Sequence, residues 1–263
     1  MTPISSLHNP RIKQIRALRH RKERDRTGCF FVEGLHAVAE ALHLQAPVET
    51  LVVAPDLISS SYGYELVERA RQNNTPCLTV TKDVFASLTP RDATQGIAAV
   101  VQQRWDKLKY LNPPPAHCWV ALESVQYPGN LGTILRTSDA AGGTGLMLLG
   151  STTDPYDPTS VRASVGTIFS QQLIRTNIDA FTSWVQQHNV CVVGTSPAAT
   201  LDYRAIPYPK PVVVLMGSER AGLSAVMQEL CHAIVHIPMV GRSDSLNLAV
   251  ATSLLLYEVF RQQ

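Results

Sequence analysis

Short, uninterrupted apolar runs recur along the second half of the chain, and they constrain its fold more than any other feature. The runs are Trp119–Leu122, Leu146–Leu149, Val190–Val193, Val212–Met216 and Ile234–Ile237. A strand that is buried on both faces reads as a continuous apolar run, and such strands belong to parallel sheets that are covered by helices. The segments between the runs are long enough for crossover helices. The sequence therefore predicts an α/β domain with a central parallel sheet.

The first half of the chain predicts a second, smaller α/β domain. Strand-forming runs lie at Thr50–Val53, Cys77–Val80 and Ile97–Val101, with helical patterns between them at about 34–44 and 62–73. Three consecutive prolines, Pro113–Pro115, cannot continue a helix or a central strand and indicate a linker. The predicted organisation is a basic arm at 1–28, a small domain at 29–103, a linker at 104–116 and the parallel-sheet domain at 117–263.

Positive charge is concentrated at the N-terminal end. The first 30 residues carry eight basic side chains against two acidic ones, although the formal net charge of the whole chain is only +2. The basic residues are Arg11, Lys13, Arg16, Arg19, Arg21, Lys22, Arg24 and Arg26. Asn9 and Pro10 favour a helix start, and Ile12, Ile15 and Leu18 give that helix one apolar stripe. A cationic helix docked by its apolar side indicates a polyanionic partner such as nucleic acid. A solvated surface helix is the alternative.

Several classes of protein and of site are disfavoured. No apolar run reaches the roughly 18 residues of a membrane span, and the first residues lack the apolar stretch of a secretory signal, so we expect a cytoplasmic protein without a membrane partner. The five cysteines are well separated, which is typical of reduced thiols. His232 and His236 lie in a segment with strand character, where residues four apart are roughly 13 Å apart, so we expect no metal site.

Glycines, hydroxyls and strongly polar side chains follow four of the predicted strands. In open parallel sheets, ligands bind beyond the carboxyl ends of the strands. The segments found there are Glu123–Arg136, Gly194–Pro197, Gly217–Ser224 and Pro238–Asn247. Glycine lets a ligand approach the backbone, and polar groups orient it. Each segment alone has an ordinary alternative. Gly217–Gly222 is equally interpretable as an ordinary turn before a helix. Arg136 is also interpretable as an ion-pair partner of Asp139, and Asn247 as a helix cap.

Three segments, taken in order, resemble the motifs of the SpoU (TrmH-like) RNA ribose 2′-O-methyltransferases of the SPOUT superfamily. They are Asn130–Arg136, Gly217–Leu223, and Ile237–Gly241 leading into Ser245–Ala251. Phe30–Gly34, Asp154–Tyr156 and Arg162–Gly166 also look like the family pattern, and the opening Ile4–Lys13 is similar to the ribosomal-RNA branch. The resemblance covers nearly the whole chain. The departures are mild: Leu248 stands where Val is commoner, and Gly143 follows Gly142.

The resemblance implies a fold, a cofactor and an assembly. The fold is a C-terminal SPOUT domain with a deep trefoil knot, preceded by a substrate-binding domain similar to ribosomal protein L30e. The cofactor is S-adenosylmethionine, and the positions that match cofactor contacts are Thr195, Gly217, Ile237 and Leu246. The assembly is a homodimer with the last helix in the interface, which agrees with the largely apolar helix predicted at about Leu246–Arg261.

The resemblance also places Arg136, Glu219, Asn247 and Ser245 at the catalytic centre. A ribose 2′-hydroxyl is a poor nucleophile until its proton is removed. Because a guanidinium keeps its proton at neutral pH, we expect Arg136 to grip the phosphate beside the target ribose and to stabilise the developing alkoxide. Glu219 is expected to orient Arg136 or to accept the proton. Asn247 and Ser245 are expected to hold Glu219 and its loop.

The residues expected to contact RNA are Asn130, Arg11, Lys13, Arg16, Arg19 and Arg21. The N-terminal resemblance and the basic arm favour ribosomal RNA over transfer RNA as the substrate. A non-catalytic RNA-binding protein similar to L30e is the alternative from another class, and it would need none of the catalytic residues. A nucleotide-dependent dehydrogenase is disfavoured because no Gly-x-Gly-x-x-Gly follows a first strand.

Overall fold

The computed structural model describes residues 2–89, 94–113 and 117–262. The chain divides into two compact units. Unit 1 comprises the chain up to Gln103 together with Tyr156–Phe169, and unit 2 comprises Arg104–Pro155 and the chain from Ser170 onward. Among the helices of the described segments, none combines the length and the apolar character that crossing a bilayer requires.

Helices and strands alternate along most of the described chain. The helices are α1 (Pro10–Ala17), α2 (Arg21–Thr27), α3 (Leu35–His43), α4 (Ser61–Gln72), α5 (Lys82–Leu88), α6 (Pro128–Ala140), α7 (Pro158–Ser164), α8 (Ile178–Gln187), α9 (Ala225–Leu230) and α10 (Leu248–Arg261). The strands are β1 (Cys29–Glu33), β2 (Val48–Val53), β3 (Cys77–Thr79), β4 (Ile97–Gln102), β5 (Cys118–Glu123), β6 (Gly145–Leu149), β7 (Gln172–Thr176), β8 (Cys191–Thr195), β9 (Leu201–Asp202), β10 (Val212–Met216) and β11 (Ala233–His236).

Unit 1 is built on a four-stranded mixed sheet in the order β1-β4-β2-β3. Its N-terminal helix begins as predicted, since Pro10 opens α1 and the Asn9 side chain accepts a hydrogen bond from the backbone N–H of Arg11 at 2.9 Å. Ile12, Ile15 and Leu18 are buried in the core of this unit. The basic arm is two helices rather than one, because the chain turns between α1 and α2 before entering β1.

Residues 156–169 differ from the predicted boundaries, because they belong to unit 1 although they follow β6 of unit 2. Aromatic and ionic contacts hold them there. The Tyr156 ring packs against Phe30 of β1 with ring centroids 4.6 Å apart. The buried guanidinium of Arg24 donates to the carbonyl of Leu18 and lies 3.7 Å from the Asp157 carboxylate, which itself caps α7. Arg24 is therefore a packing residue of the arm.

Unit 2 contains the predicted parallel sheet. Its seven strands lie in the order β7-β6-β5-β10-β8-β11-β9, and every neighbouring pair is parallel. The five apolar runs form β5, β6, β8, β10 and β11, and the helix predicted at the C-terminal end is α10. Trp119, Met147 and Leu215 are among the buried residues of its core.

The segment predicted to be a linker is docked on unit 2 where it is described. Leu108 is buried in the core of unit 2, and Asp106 forms a β-bridge with Ile174. The indole N–H of Trp184 donates to the carbonyl of Leu111 at 2.9 Å. Residues 114–116, which include two of the three prolines, lie outside the described residues.

Candidate active site

Four neighbouring strands of unit 2 bring the polar segments to one edge of the sheet. The strands are β5, β10, β8 and β11, which adjoin in that order. The register pairs Met216 with Leu122 and Val235 with Thr195, so the carboxyl ends of these strands lie side by side. The convergence expected from the sequence is therefore present within a single unit of the fold.

The loop after β10 closes on itself through its backbone. The N–H of Ser218 donates to the carbonyl of Gly222 at 3.1 Å, and the N–H of Gly222 donates back to Ser218 at 3.0 Å. A Cβ on Gly217 would lie 2.1 Å from the carbonyl carbon of Gly222, so a larger residue cannot stand there without moving the loop. Glu123, at the end of β5, accepts a hydrogen bond from Ser224 at 2.9 Å and holds the far side of this loop.

A chain of side-chain hydrogen bonds joins the three motif segments. The side-chain nitrogen of Asn130 donates to the Glu219 carboxylate at 3.1 Å. The side-chain nitrogen of Asn247 donates to the side-chain oxygen of Asn130 at 3.0 Å. The second carboxylate oxygen of Glu219 accepts from the backbone N–H of Gln126 at 3.4 Å. Asn130 therefore stands between Glu219 and Asn247, and three residues far apart in sequence form one polar centre.

Asn247 has two roles at once. Its side-chain oxygen accepts hydrogen bonds from the backbone N–H groups of Ala249 at 2.9 Å and Val250 at 3.4 Å, which makes it the N-cap of α10. Its side-chain nitrogen is left to bind Asn130. Asn247 can cap α10 and belong to the polar centre at once, because a side-chain amide carries separate acceptor and donor groups.

Arg136 is exposed on α6, and it does not form an ion pair with Asp139, which was the alternative interpretation. Asp139 accepts its hydrogen bond from the hydroxyl of Ser170 at 2.5 Å instead of pairing with Arg136. Within the described part of the chain, the Arg136 guanidinium makes no hydrogen bond or ion pair, so it also makes none with Glu219. Glu219 is held by Asn130 rather than by Arg136. The cation is available to a ligand.

Ser245 lies in the site loop but does not hold Glu219. Its hydroxyl donates to the neighbouring Asp244 carboxylate at 3.2 Å, and both side chains are exposed. The holding role expected of Ser245 is thus taken by the backbone N–H of Gln126. Sequence reasoning missed this role for Gln126, because every residue type except proline supplies a backbone N–H.

The positions that match cofactor contacts follow three neighbouring strands. Thr195 ends β8 and its hydroxyl lies 3.5 Å from the sulfur of Met216, while Gly217 follows β10 and Ile237 follows β11. Leu246 is 36% exposed on the loop that leads to α10. On the same loop Val240 is fully exposed. This edge of the sheet therefore carries apolar surface that the described residues leave uncovered.

The basic arm in unit 1 divides into structural and exposed cations. Arg16 donates to the Ser87 hydroxyl at 2.8 Å, and Arg19 donates to the Ser87 carbonyl at 2.6 Å, so both brace α1 against α5. Arg21 lies 3.6 Å from Asp25 on the same helix. Arg11 and Lys13 are exposed and make no hydrogen bond or ion pair through their side chains within the described segments.

Two of the cysteines, the buried Cys118 and the partly buried Cys231, lie within or beside the parallel sheet of unit 2. Burial raises the pKa of Cys118 to about 12 and that of Cys231 to about 11, which keeps both thiols protonated. His232 accepts a hydrogen bond from the Val192 backbone at 3.1 Å. In the described part of the chain, no group of three or more His, Cys, Asp or Glu side chains is placed to hold a metal ion.

Comparison with protein families gives two matches along the chain. The SpoU rRNA Methylase family matches residues 117–257, which contain the whole polar centre. An MRM3-like substrate binding domain matches residues 9–99, which contain most of unit 1.

Similar proteins align with almost the full length of the chain. It is 30% identical over 259 residues to the 23S rRNA (guanosine(2553)-2′-O)-methyltransferase RlmP of Bacillus subtilis, covering 98% of this chain and 99% of that protein. It is 33% identical over 263 residues to the 23S rRNA (uridine(2479)-2′-O)-methyltransferase of Streptomyces viridochromogenes, covering 97% and 91%. The crystal structure of an AdoMet-bound rRNA methyltransferase from Sinorhizobium meliloti aligns with a TM-score of 0.90 and 40% identity, covering 99% and 97%.

Proposed function

The chain belongs to the SpoU rRNA Methylase family, and from this premise we propose that it transfers a methyl group from S-adenosylmethionine to a ribose 2′-hydroxyl of ribosomal RNA. The observation that carries the proposal is the Asn130–Glu219–Asn247 hydrogen-bond chain, which assembles all three family motifs around one edge of the sheet. Two relatives named as 23S rRNA 2′-O-methyltransferases support the substrate class.

The residues at the strand ends fit S-adenosylmethionine. The exposed apolar side chains of Leu246 and Val240 can cover an adenine ring. Thr195 offers a hydroxyl at the end of β8, the strand that adjoins β11. Gly217 has no side chain, and the Gly222 backbone fills the space that a Cβ would take, so the loop after β10 keeps its closed form. When bound, S-adenosylmethionine supplies an electrophilic methyl group on a sulfonium. Thr195, Gly217, Ile237 and Leu246 would hold it.

Arg136 is proposed to position the RNA. A guanidinium presents a rigid fork of donors that matches phosphate oxygens, and it stays charged. Because the described residues leave this group unpaired, it can grip the phosphate beside the target ribose without first breaking an internal ion pair. The same charge then stabilises the oxygen of the ribose as it loses its proton.

Glu219 is proposed to hold Asn130 in place, and it is the carboxylate available to take up the proton of the ribose hydroxyl. One carboxylate oxygen accepts from Asn130 and the other from the Gln126 backbone, so the group is fixed at two points. A fixed acceptor is what general-base catalysis requires. Asn247 acts through Asn130, as a positioning residue.

Unit 1 and its arm are proposed to supply affinity for ribosomal RNA in the cytoplasm. Phosphate contacts position an RNA but do not select its sequence. Arg11 and Lys13, which are exposed, are suited to that role, whereas Arg16 and Arg19 are tied to α5. The Arg21 side chain faces Asp25 and remains a weaker candidate.

A homodimer through α10 and a trefoil knot around the site complete the proposal. Val250, Tyr257 and Phe260 lie on α10 and are each about half exposed. An apolar stripe of this kind on a helix needs a partner. Only the family membership supports the knot. General rules of chain connection would not predict it, because threaded chains are very rare in other folds.

The test is methyl transfer by the purified full chain. The protein is incubated with tritiated S-adenosylmethionine and with RNA transcribed in vitro, which carries no modifications. The transcripts are the 23S rRNA and the transfer RNAs of the cells that carry the gene. We expect label in the 23S transcript, in nucleotides whose 3′ linkage resists alkaline hydrolysis because the 2′-oxygen is methylated. Label only in transfer RNA would overturn the ribosomal substrate. Absence of calorimetric heat with S-adenosylmethionine would favour a protein that only binds RNA.

A further inference from the structure

Tyr127 occupies a helix-capping position that its side chain cannot serve. It is the N-cap residue of α6, with φ −94° and ψ 115°, and its side chain makes no capping hydrogen bond. Ser, Thr, Asn and Asp are preferred there because their short side chains accept from the first free N–H groups. Six helices have such a cap, and their capping side chains are Asn9, Ser60, Asp157, Asn177, Ser224 and Asn247. Like α6, the helices α2, α3 and α5 begin without one, after His20, Gly34 and Thr81, and none of these three residues is a large exposed aromatic.

The Tyr127 side chain is also exposed. Its relative exposure is 54%. Across residues 2–89, 94–113 and 117–262, its hydroxyl makes no hydrogen bond and its ring contacts no other ring or cation. Within the described residues, neither a capping hydrogen bond nor a ring contact accounts for a tyrosine at this position.

Tyr127 stands next to the polar centre. The preceding residue, Gln126, donates its backbone N–H to Glu219, and Asn130, three residues later, donates its side-chain N–H to the same carboxylate. The ring therefore leaves the backbone at the point where α6 meets the Glu219 loop. A local conflict between residue type and position, at such a place, is a mark of function rather than of folding.

We propose that Tyr127 is a nucleobase-stacking position, whose ring packs face to face on a base of the RNA at or beside the nucleotide that is methylated. This rests on the proposed function. Ribose methylation needs a nucleotide splayed out of a helix, and unstacked bases are held by stacking on aromatic side chains. The planar ring would fix the base while Arg136 holds the phosphate, so the ribose between them is held at both ends.

Three variants of Tyr127 test the proposal in the full-length protein with the 23S transcript as probe. Tyr127→Asn restores a capping side chain, so we expect its Tm to rise by about 2–4 °C, and its KM for RNA to rise on the order of tenfold because stacking is removed. We expect Tyr127→Leu to raise KM similarly and Tyr127→Phe to keep KM within about twofold. The Kd for S-adenosylmethionine and kcat should change less than about twofold in all three.

The same measurements can overturn the stacking role of Tyr127. If Tyr127→Asn or Tyr127→Leu keeps the KM of the wild type, the stacking role is overturned. A shift of these variants from dimer to monomer in light scattering would also overturn it, because the ring would then contact a second copy of the chain. Tyr110→Leu, at a tyrosine that is 74% exposed elsewhere in unit 2, is the control and should keep wild-type KM. A wild-type protein without transfer would overturn the proposed function as well, whereas an active wild type with insensitive variants overturns this inference alone.

Discussion

The side-chain nitrogen of Asn130 lies 3.1 Å from a carboxylate oxygen of Glu219, across 89 residues of sequence. Asn130 lies in the first turn of α6, and Glu219 lies in the closed loop after β10. Because Asn130 also accepts from Asn247, its amide uses donor and acceptor at the same time. This fixes the orientation of the amide, so the start of α6, the loop after β10 and the start of α10 are coupled through one side chain.

Asn130→Asp tests this coupling. The substitution keeps the size of the side chain but removes the donor and places a second carboxylate against Glu219. Hydrogen bonds to charged groups contribute about 1.5–3 kcal/mol, so we expect kcat/KM for methyl transfer to fall by about 10- to 100-fold. The measurement is initial rates with saturating S-adenosylmethionine and varied RNA.

Gln126→Ala is the matched control for Asn130→Asp. The side-chain nitrogen of Gln126 donates to the carbonyls of Ser124 and Ser151, whereas its contact with Glu219 is made by the backbone. The alanine variant keeps that backbone N–H, so we expect its activity to fall far less than that of Asn130→Asp. An equal fall in the two variants would show that the Asn130 amide is not the coupling element.

Much of unit 2 could be predicted from sequence because its signals are local. Continuous apolar runs gave β5, β6, β8, β10 and β11, since strands buried on both faces need apolar side chains at every position. The strands β7 and β9 carry no such signal. β7 has two buried residues, Leu173 and Ile174, and β9 has two residues in all. Because β7 and β9 lie at the two edges of the sheet, their pairing is specified by the neighbouring strands rather than by apolar runs of their own.

Arg136→Lys tests whether the guanidinium fork is needed. Lysine keeps the charge but offers a single ammonium in place of two parallel N–H donors. If Arg136 grips a phosphate and stabilises the ribose oxygen, kcat/KM should fall by about 100-fold, and the shape of the pH–rate profile should stay that of the wild type. Retention of most activity would contradict the phosphate-grip role. Arg69→Lys, at an exposed arginine of α4, serves as the control.

The basic arm predicts a salt-dependent contribution to RNA binding. The logarithm of the binding constant falls linearly with the logarithm of the salt concentration. Each cation that no longer neutralises a phosphate of a single-stranded region makes this slope less steep by about 0.7. Replacing both Arg11 and Lys13 by Ala should therefore weaken binding to the 23S transcript and reduce the slope by about 1.4, with little change in Tm. A slope identical to that of the wild type would mean that these two residues do not touch the RNA.

Arg16 and Arg19 should behave differently from Arg11 and Lys13. Their side chains bind Ser87 of α5, so their replacement by Ala loosens α1 from unit 1 and should lower Tm. Sequence alone could not separate the two pairs, because a basic residue reads the same whether it faces solvent or a neighbouring helix. Arg24 is the extreme case, being a fully buried cation within the most charged segment of the chain.

Buried thiols give a prediction about pH. Burial raises the pKa of Cys118 from 9.0 to about 12 and that of Cys231 to about 11. At pH 8 the native thiolate fraction is therefore about one in a thousand or less, against about one in ten for an ordinary thiol. Iodoacetamide labelling followed by mass spectrometry should be at least about tenfold slower in the native protein than in guanidinium. Equal rates would mean that these thiols are open to solvent.

The raised pKa values of Cys118 and Cys231 make the stability of the folded protein depend on pH. Since the thiols lose their protons more easily in the unfolded chain, their contribution to stability is complete below about pH 8 and falls as the pH rises past about 9. Thermal unfolding at about pH 8 and about pH 10 should therefore show a lower Tm at the higher pH. Cys118→Ser would report the share of Cys118, because a serine hydroxyl does not ionise in this range and so removes its part of the pH dependence.

The uncovered face of α10 predicts the oligomeric state. Tyr257 is 50% exposed, and its ring packs edge-on against Phe260, which is 51% exposed, with centroids 6.2 Å apart. If this face meets its copy in a second chain, Tyr257→Glu places a charge in an apolar contact and should give a monomer by light scattering with its fold retained by circular dichroism. Tyr64→Glu, at a tyrosine that is 51% exposed on α4, is the matched control and should leave the dimer intact. A dimer that survives Tyr257→Glu would have to form through another surface, and the apolar stripe of α10 would then require a different partner.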